Sequence, residues 1–147
     1  MVGLHLNTAG QRWVFEGSHA DMLVAYTMIG TNDFARAMAL YTPVMDMLGA
    51  KKIGAYSTDT RTWFGRDGAG MLAVGAPGDG KLATAGNGTM VALSASDTTM
   101  VAAAHAKALE LGASDEGAAG PRGPGFYGAY FRDFDGNKIC IFTIVSA

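Results

Sequence analysis

The stretch FYGAYFRDFDGNKICIFTIV, residues 126–145, is the strongest indicator of the fold of this chain. It predicts two strands, residues 127–132 and 138–145, because aromatic and β-branched residues fill both runs. The segment DFDGN between them, residues 133–137, contains an Asp-Gly pair, which favours a tight hairpin turn. Because the second run is almost wholly apolar, we expect it to lie deep within a sheet rather than at an exposed edge.

The composition is that of a globular protein. The chain has 147 residues, of which 49% are hydrophobic and 16% charged, enough for one domain or for two small halves that share a core. The net charge is −2 and the 11 Lys and Arg residues are scattered, which argues against a nucleic-acid surface. The sequence has no run of about 18 apolar residues, so no membrane span is predicted. The one cysteine, Cys140, forbids an internal disulfide bond and predicts a reducing, cytoplasmic environment.

Residues 1–21 are interpreted as an N-terminal extension. They lack the basic start and the continuous apolar core of a signal peptide. The segment QRWVFE at residues 11–16 either forms a short strand or belongs to an irregular extension, and the sequence leaves both open. His5 and His19 have no third metal ligand nearby in the sequence, so we expect them to be solvated.

Residues 22–75 predict a strand, a helix and three more strands. The first strand is expected at residues 22–29, and apolar residues at helical spacing follow it. Thr31 or Asn32 can cap this helix, while Pro43, which lacks a backbone donor, predicts a kink or a fresh start. Three short strands are then expected at residues 52–57, 61–66 and 70–74.

A Gly-rich linker, residues 76–87, separates this pattern from a second copy of it. Residues 89–94 are expected to form a strand, and Ser96 or Asp97 can cap the helix that follows. With the hairpin as its last two strands, the second copy repeats the order strand, helix, strand, strand, strand.

The two copies are related by an offset of about 65 residues, and their turns align residues 67–72 with residues 135–140. The sequence therefore predicts one α+β domain, residues 22–147, made of two modules at about 22–75 and 88–147. Each module has one helix and a sheet with an open face, so pairing the two sheets side by side would leave a cleft.

The segments GTNDFARAMALY at residues 30–41 and FRDFDGNKI at residues 131–139 resemble the vicinal oxygen chelate superfamily, which includes glyoxalase I, bleomycin-resistance proteins and extradiol dioxygenases. The turn is similar to the Asp-Pro-Asp-Gly-Asn turn of that family, with Phe134 where proline is usual. The resemblance covers residues 22–145 and implies tandem βαβββ modules that form a curved mixed sheet with a cleft. It also implies a homodimer.

In the metal-dependent members of that superfamily, four strand positions of the cleft supply His and Glu ligands. The resemblance places these positions at Tyr26, Leu72, Met90 and Cys140. None of these residues carries an imidazole or a carboxylate, the donors that a divalent metal site requires. We therefore expect no metal and no other cofactor, although a slip of one residue in strand register would bring other side chains into the cleft.

The side chains expected to bind a ligand are mostly apolar or aromatic. They are Tyr26, Met28, Trp63, Leu72, Met90, Tyr130, Cys140 and Arg122. Tyr26 is also the candidate catalytic residue, as a hydrogen-bonding partner of a ligand carbonyl or as a general acid. The alternative for each is structural, since strand aromatics and methionines often belong to the core, a buried thiol is usually inert and a surface arginine is usually solvated.

Two further groups of residues are expected to have no role in binding. His105 is placed on the solvated face of its helix. The Asp and Asn residues of the turn at 133–137 are expected to make turn hydrogen bonds, because such side chains stabilise tight turns locally.

The leading functional hypothesis is a metal-independent small-molecule-binding protein of the bleomycin-resistance type, with an apolar, aromatic cleft. The alternative is a glyoxalase-like lyase or isomerase that acts on a thiol adduct or another small substrate through Tyr26, so the sequence leaves open whether the protein is an enzyme. A third possibility is a module whose cleft is closed by its own side chains and whose role is assembly.

Overall fold

The computed structural model describes residues 3–6, 13–16, 23–67 and 69–145. In the first two ranges, β1 (Gly3–Leu6) and β2 (Trp13–Glu16) pair in antiparallel fashion, so a short strand is present within residues 11–16. His19 and the side chain of His5 lie outside what the structure describes. Neither helix in the described part of the chain combines the length and the hydropathy that a membrane span needs.

The first module consists of one helix and a four-stranded mixed sheet. Its elements are β3 (Tyr26–Gly30), α1 (Phe34–Met47), β4 (Lys51–Lys52), β5 (Arg61–Gly65) and β6 (Met71–Gly75). The strands lie in the order β3-β6-β5-β4, with β3 parallel to β6 and the other neighbours antiparallel. The outer strands of this order, β3 and β4, are the edges of the sheet.

The second module repeats this arrangement. Its elements are β7 (Val91–Ser94), α2 (Thr98–Glu110), β8 (Ser114–Gly123), β9 (Phe126–Arg132) and β10 (Lys138–Ile144). The strand order β7-β10-β9-β8 matches that of the first module, with β7 parallel to β10. Two modules of equal topology confirm the predicted α+β fold, and the hairpin of β9 and β10 pairs as expected.

The predicted strand at residues 52–57 is wrong. Only Lys51–Lys52 pairs with the sheet, and a 3₁₀ turn, Gly54–Tyr56, follows. Ser57 stabilises this turn, because its hydroxyl donates to the carbonyl oxygen of Ile53 at 2.9 Å. A serine that bonds nearby backbone groups competes with strand pairing.

Helix α1 runs through Pro43 as one continuous helix, so the fresh start that the sequence allowed at this residue does not occur. Pro43 cannot donate to the carbonyl oxygen of Ala39, four residues earlier, but Ala39 is exposed, so solvent can satisfy that oxygen. The cap also differs from the expectation of Thr31 or Asn32. Asp33 caps α1, and its side chain accepts a backbone N–H of the first turn at 2.9 Å.

The prediction that His105 is solvated is wrong. The residue is only 6% exposed, because the buried face of α2 includes it together with Ala104 and Ala108. Its Nε2 lies 3.0 Å from the carbonyl oxygen of Tyr130 and 3.2 Å from Oδ1 of Asp115. The small alanines beside it leave room for the imidazole, and the two oxygen atoms satisfy it there.

The turn between β9 and β10 makes the predicted hydrogen bonds and also joins the two modules. Oδ1 of Asp133 accepts the N–H groups of Asp135 (3.0 Å) and Asn137 (2.9 Å), while Oδ2 accepts from the Asn137 amide (2.8 Å) and from the Tyr41 hydroxyl (2.7 Å). The Asn137 amide donates in addition to the carbonyl oxygen of Gly30 at 2.9 Å. The turn of the second module is therefore bonded to β3 and α1 of the first.

Candidate functional site

Each sheet packs one face against the helices and leaves the other, here called the distal face, directed away from them. In the first module, Ile29, Phe64, Leu72 and Val74 belong to the core that α1 shares. Because side chains alternate along a strand, the distal face carries their neighbours. These neighbours include Tyr26, Met28, Arg61, Trp63, Met71 and Ala73.

An aromatic cluster occupies the distal face of the first module. The rings of Tyr26 and Trp63 meet edge to face, with 4.9 Å between their centroids and an angle of 69°. Tyr56, from the 3₁₀ turn, contacts Trp63 in the same manner at 6.2 Å. Tyr26 is 55% exposed and Met28 is 38% exposed, so this cluster offers apolar surface to solvent.

The Gly-rich linker is fixed beside this face. The Asn32 amide donates to the carbonyl oxygen of Ala83 at 3.0 Å, and its Oδ1 accepts the Ala83 N–H at 2.7 Å. A Cβ on Gly30 would lie 2.8 Å from the Ala83 Cβ, so the close approach of the linker to β3 requires glycine there. The linker therefore lies against the C-terminal end of β3.

The distal face of the second module is aromatic and cationic. Cys140 pairs with Tyr130 across β10 and β9, and Phe142 stacks on Phe126 with 5.1 Å between ring centroids. The guanidinium carbon of Arg122 lies 5.5 Å from the centre of the Tyr130 ring. The structure thus brings together three of the residues predicted to bind a ligand, Cys140, Tyr130 and Arg122.

Cys140 has the properties of a buried thiol. Its side chain has no solvent exposure. Burial raises the pKa of the Cys140 thiol, although a hydrogen bond with Tyr130 and the charges of Arg122 and Lys138 act in the opposite direction. Because the thiolate is the reactive form, a raised pKa makes this thiol a poor nucleophile at neutral pH.

A cavity of about 230 Å³ lies between the modules. The edge strands β3 and β7 line it, together with Leu72 and residues at the end of α1. Arg66 also lines it and joins the modules, since its guanidinium donates to the carbonyl oxygen of Leu48 at 2.9 Å and to the Ser94 hydroxyl. Tyr26 contributes to this lining as well as to the distal face, so the cavity adjoins the aromatic cluster.

Leu72 differs in orientation from the other residues predicted to bind a ligand. It is 3% exposed and packs in the core, on the helix side of β6. The strand pairs explain why: Phe64 pairs with Leu72, and Phe131 pairs with Ile139, so the counterpart of Cys140 is Ala73. The alignment of the two turns that the sequence suggests, which matches Leu72 with Cys140, is therefore one residue out of register. A slip of one residue places a strand side chain on the opposite face of the sheet.

The predicted site residues therefore fall into separate groups. Tyr26, Met28 and Trp63 share the distal face of the first module. Met90, the residue immediately before β7, is 45% exposed. A role of any of these residues in binding remains a prediction.

The donor atoms at the positions that correspond to metal ligands do not fit a divalent metal ion. Tyr26, Met90 and Cys140 offer a phenol, a thioether and a thiol, and neither Leu72 nor Ala73 offers any donor. Zinc, nickel and iron sites are built from imidazole, carboxylate or several thiolate ligands. Within the residues that the structure describes, no group of three His, Cys, Asp or Glu side chains could hold a metal ion.

Sequence reasoning missed Arg61. This residue lies on the distal face, two residues before Trp63 on the same strand. The alternation in RTWFG, with Thr62 and Phe64 buried, was the signal that could have placed both side chains on one face.

Comparisons with known proteins agree with this fold. The family model of the Glyoxalase/Bleomycin resistance protein/Dioxygenase superfamily matches residues 23–141. A glyoxalase/bleomycin resistance protein from Albidiferax ferrireducens T118 is 30% identical over 82% of this chain and 98% of that one, with a TM-score of 0.73. No curated protein matches the sequence.

Two more distant structures share the fold. A glyoxalase/bleomycin resistance protein/dioxygenase family enzyme from Burkholderia phytofirmans PsJN is 16% identical over 82% of this chain and 98% of that one, with a TM-score of 0.65. TioX from Micromonospora sp. ML1 is 18% identical over 83% of this chain and 98% of that one, with a TM-score of 0.56. From the family model and the relative from Albidiferax, it follows that this chain belongs to the glyoxalase/bleomycin resistance protein/dioxygenase superfamily.

Proposed function

We propose that this protein binds a small, largely apolar molecule on the distal face of the first module, without a metal ion, as in proteins of the bleomycin-resistance type. The exposed aromatic cluster carries this proposal. Tyr26 and Met28 are 55% and 38% exposed beside Trp63, although residues of this kind are normally buried. An apolar surface bordered by fixed backbone is typical of a ligand site.

The donor atoms support the metal-free part of the proposal. Elemental analysis of protein purified without chelators tests it directly, and we expect less than about 0.1 equivalent of nickel, zinc or iron. A stoichiometric amount of any of these metals would refute the proposal, since the phenol, thioether and thiol at the corresponding positions are not expected to hold it.

Native mass spectrometry on protein taken directly from cells, followed by fluorescence titration with the molecule that is found, tests the binding itself. Trp63→Ala should weaken binding about tenfold, the effect of a central aromatic contact worth more than about 1 kcal/mol. Leu82→Ala is the matched control, because Leu82 is an apolar residue, 81% exposed, in the linker. Equal affinity of the Trp63 variant and the wild type would contradict the proposed site.

The lyase alternative requires a group that accepts or supplies a proton beside Tyr26. Within the described residues, the Tyr26 hydroxyl has no hydrogen-bond partner, and its ring packs edge to face against the Trp63 ring. We therefore expect no turnover of the hemithioacetal of methylglyoxal and glutathione. Turnover that Tyr26→Phe abolishes would favour the lyase instead.

We also propose that the protein forms a homodimer, as the resemblance implies. Leu23, Val24 and Ile144 are 103%, 64% and 67% exposed, and a second copy would cover such apolar side chains. Light scattering after size exclusion measures the mass, and a monomer at protein concentrations of about 100 µM would contradict the dimer.

A further inference from the structure

We infer that the ligand of the distal face is a small organic anion, whose carboxylate or similar group pairs with Arg61 while its apolar body contacts Trp63 and Tyr26. This inference rests on the proposed function and specifies the chemical class of the ligand. It follows from three features of Arg61, which are its position, its unpaired charge and its incomplete hydrogen bonding.

Arg61 is built into the same face as the aromatic cluster. Residues two apart on a strand point to one side, so the Cα atoms of Arg61 and Trp63 lie about 7 Å apart along β5. Gly75, the partner of Arg61 on β6, leaves space for the arginine stem, since a Cβ there would lie 2.8 Å from the Arg61 Cβ. A ring that bears a carboxylate directly could therefore contact Trp63 and Arg61 together.

The charge of Arg61 is not neutralised. No Asp or Glu side chain of the described residues forms an ion pair with it, whereas Arg132 is paired with Glu116 at 2.7 Å. Around Arg61 the distal face carries Tyr26, Met28, Trp63 and Ala73, which have no charge. Among these residues of the face, Arg61 therefore supplies a positive charge and none supplies a negative one, which favours an anionic ligand over a cationic one.

The hydrogen-bond donors of Arg61 are almost all unused. Its Nε is buried without a partner among the described residues, and its Nη2 reaches the carbonyl oxygen of Ala76 only at 3.5 Å. By contrast, the Arg122 guanidinium donates to the carbonyl oxygens of Pro121 and Ala118. A guanidinium presents five N–H donors in a fork that matches a carboxylate, so a small turn of the Arg61 side chain toward the face would satisfy two of them at once.

The test uses two probes that differ only in charge, 2-naphthoate and 2-naphthamide, titrated into the full chain by calorimetry. We expect the wild type to bind naphthoate at least about tenfold more tightly than the amide. Arg61→Gln should weaken naphthoate binding about 10- to 100-fold, the effect of losing a hydrogen-bonded charge, and should leave the amide unchanged. Trp63→Leu should weaken both probes.

Arg36→Gln is the matched control, since it removes the same charge from α1, where the guanidinium carbon lies 3.7 Å from the Phe134 ring centre. Equal affinity of the wild type for both probes would overturn the inference, as would an Arg61→Gln variant that weakens both equally. A loss of naphthoate binding in Arg122→Gln alone would move the anion to the second module and also overturn it. Failure of both probes to bind at about 5 mM would have the same consequence.

The two proposals fail in different ways. If the molecule recovered from cells is neutral or cationic and its binding depends on Trp63, the proposed function holds while the inference about Arg61 falls. If no molecule binds in a manner that depends on Trp63, both fall.

Discussion

Removal of one hydroxyl group, in Tyr41→Phe, should loosen the contact between the two modules. The Tyr41 hydroxyl donates to Oδ2 of Asp133 at 2.7 Å, and the two residues are 0% and 7% exposed. The ring of Phe would keep its place in the core, so packing changes little. Asp133, however, loses one of its four hydrogen bonds, and the other three come from its own turn.

The magnitude follows from the burial of both partners. A hydrogen bond to a charged group contributes about 1.5–3 kcal/mol, and water cannot easily replace the hydroxyl at this buried carboxylate. We therefore expect the free energy of unfolding to fall by about 2 kcal/mol. For a chain of this length, each kcal/mol lost lowers the Tm by about 4 °C, so we expect the Tm to fall by about 8 °C.

Urea unfolding followed by circular dichroism measures this loss. Tyr127→Phe is the matched control, because the Tyr127 hydroxyl has no hydrogen-bond partner among the described residues, and we expect a change below about 0.5 kcal/mol. A Tyr41→Phe variant within about 0.5 kcal/mol of the wild type, or one no less stable than the Tyr127 variant, would refute the view that this bond holds the modules together.

The burial of Tyr41 beside Asp133 makes the stability of the protein sensitive to alkaline pH. Burial, and next the negative charge of Asp133, raise the pKa of Tyr41 well above its usual 10.0. Above pH 10 the unfolded chain loses the tyrosine proton that the folded chain retains, so stability is complete below this pH and falls as the pH rises beyond it. In Tyr41→Phe this part of the decline should disappear, and unfolding midpoints at increasing pH would reveal it.

Three further substitutions test other parts of the structure. The pKa of Asp97 lies below its usual 3.8, first because the carboxylate accepts the Met100 N–H, so the contribution of this carboxylate to stability is lost as the pH falls. Asp97→Asn should therefore reduce the loss of stability that urea unfolding measures between about pH 2 and 5. His105→Ala should lower the free energy of unfolding in urea by about 2 kcal/mol, because it leaves a void and unpaired oxygen atoms of Tyr130 and Asp115. An unchanged urea midpoint would show that the buried imidazole does not stabilise the fold. Gly75→Ala places a Cβ 2.7 Å from the Thr60 carbonyl oxygen and should lower the Tm by several degrees, whereas Gly78→Ala, with no atom within 4 Å, should not.

The elements that could be predicted from the sequence are those whose signals are local. The hairpin of β9 and β10 has apolar runs and an Asp-Gly turn within one short segment, and its strands lie within one residue of the expected bounds. Both helices follow from the spacing of their apolar residues, and the cap of α2 is one of the two expected residues, Asp97. The order of helices and strands along the second module was expected from its resemblance to the first.

What could not be predicted depends on contacts between distant residues. His105 lies on α2, but the two oxygen atoms that satisfy it belong to Asp115 and to Tyr130, which is 25 residues further along. The role of the turn residue Asp133 as a partner of Tyr41 depends on how the modules are placed, 92 residues apart in sequence. A pattern within one element contains no information about such partners, so burial of a polar side chain is where sequence reasoning was weakest.

The error in register at Leu72 has a different consequence, because it concerns which side chains face a ligand. Moving the position from Leu72 to Ala73 replaces one residue without donor atoms by another, so the conclusion that the metal positions lack suitable ligands does not depend on the register. Arg61 lies on the distal face with Trp63 because the two residues are two apart on β5. The proposed binding without a metal ion requires another source of attraction for the ligand, and on the first module the Arg61 guanidinium, which forms no ion pair among the described residues, supplies a positive charge.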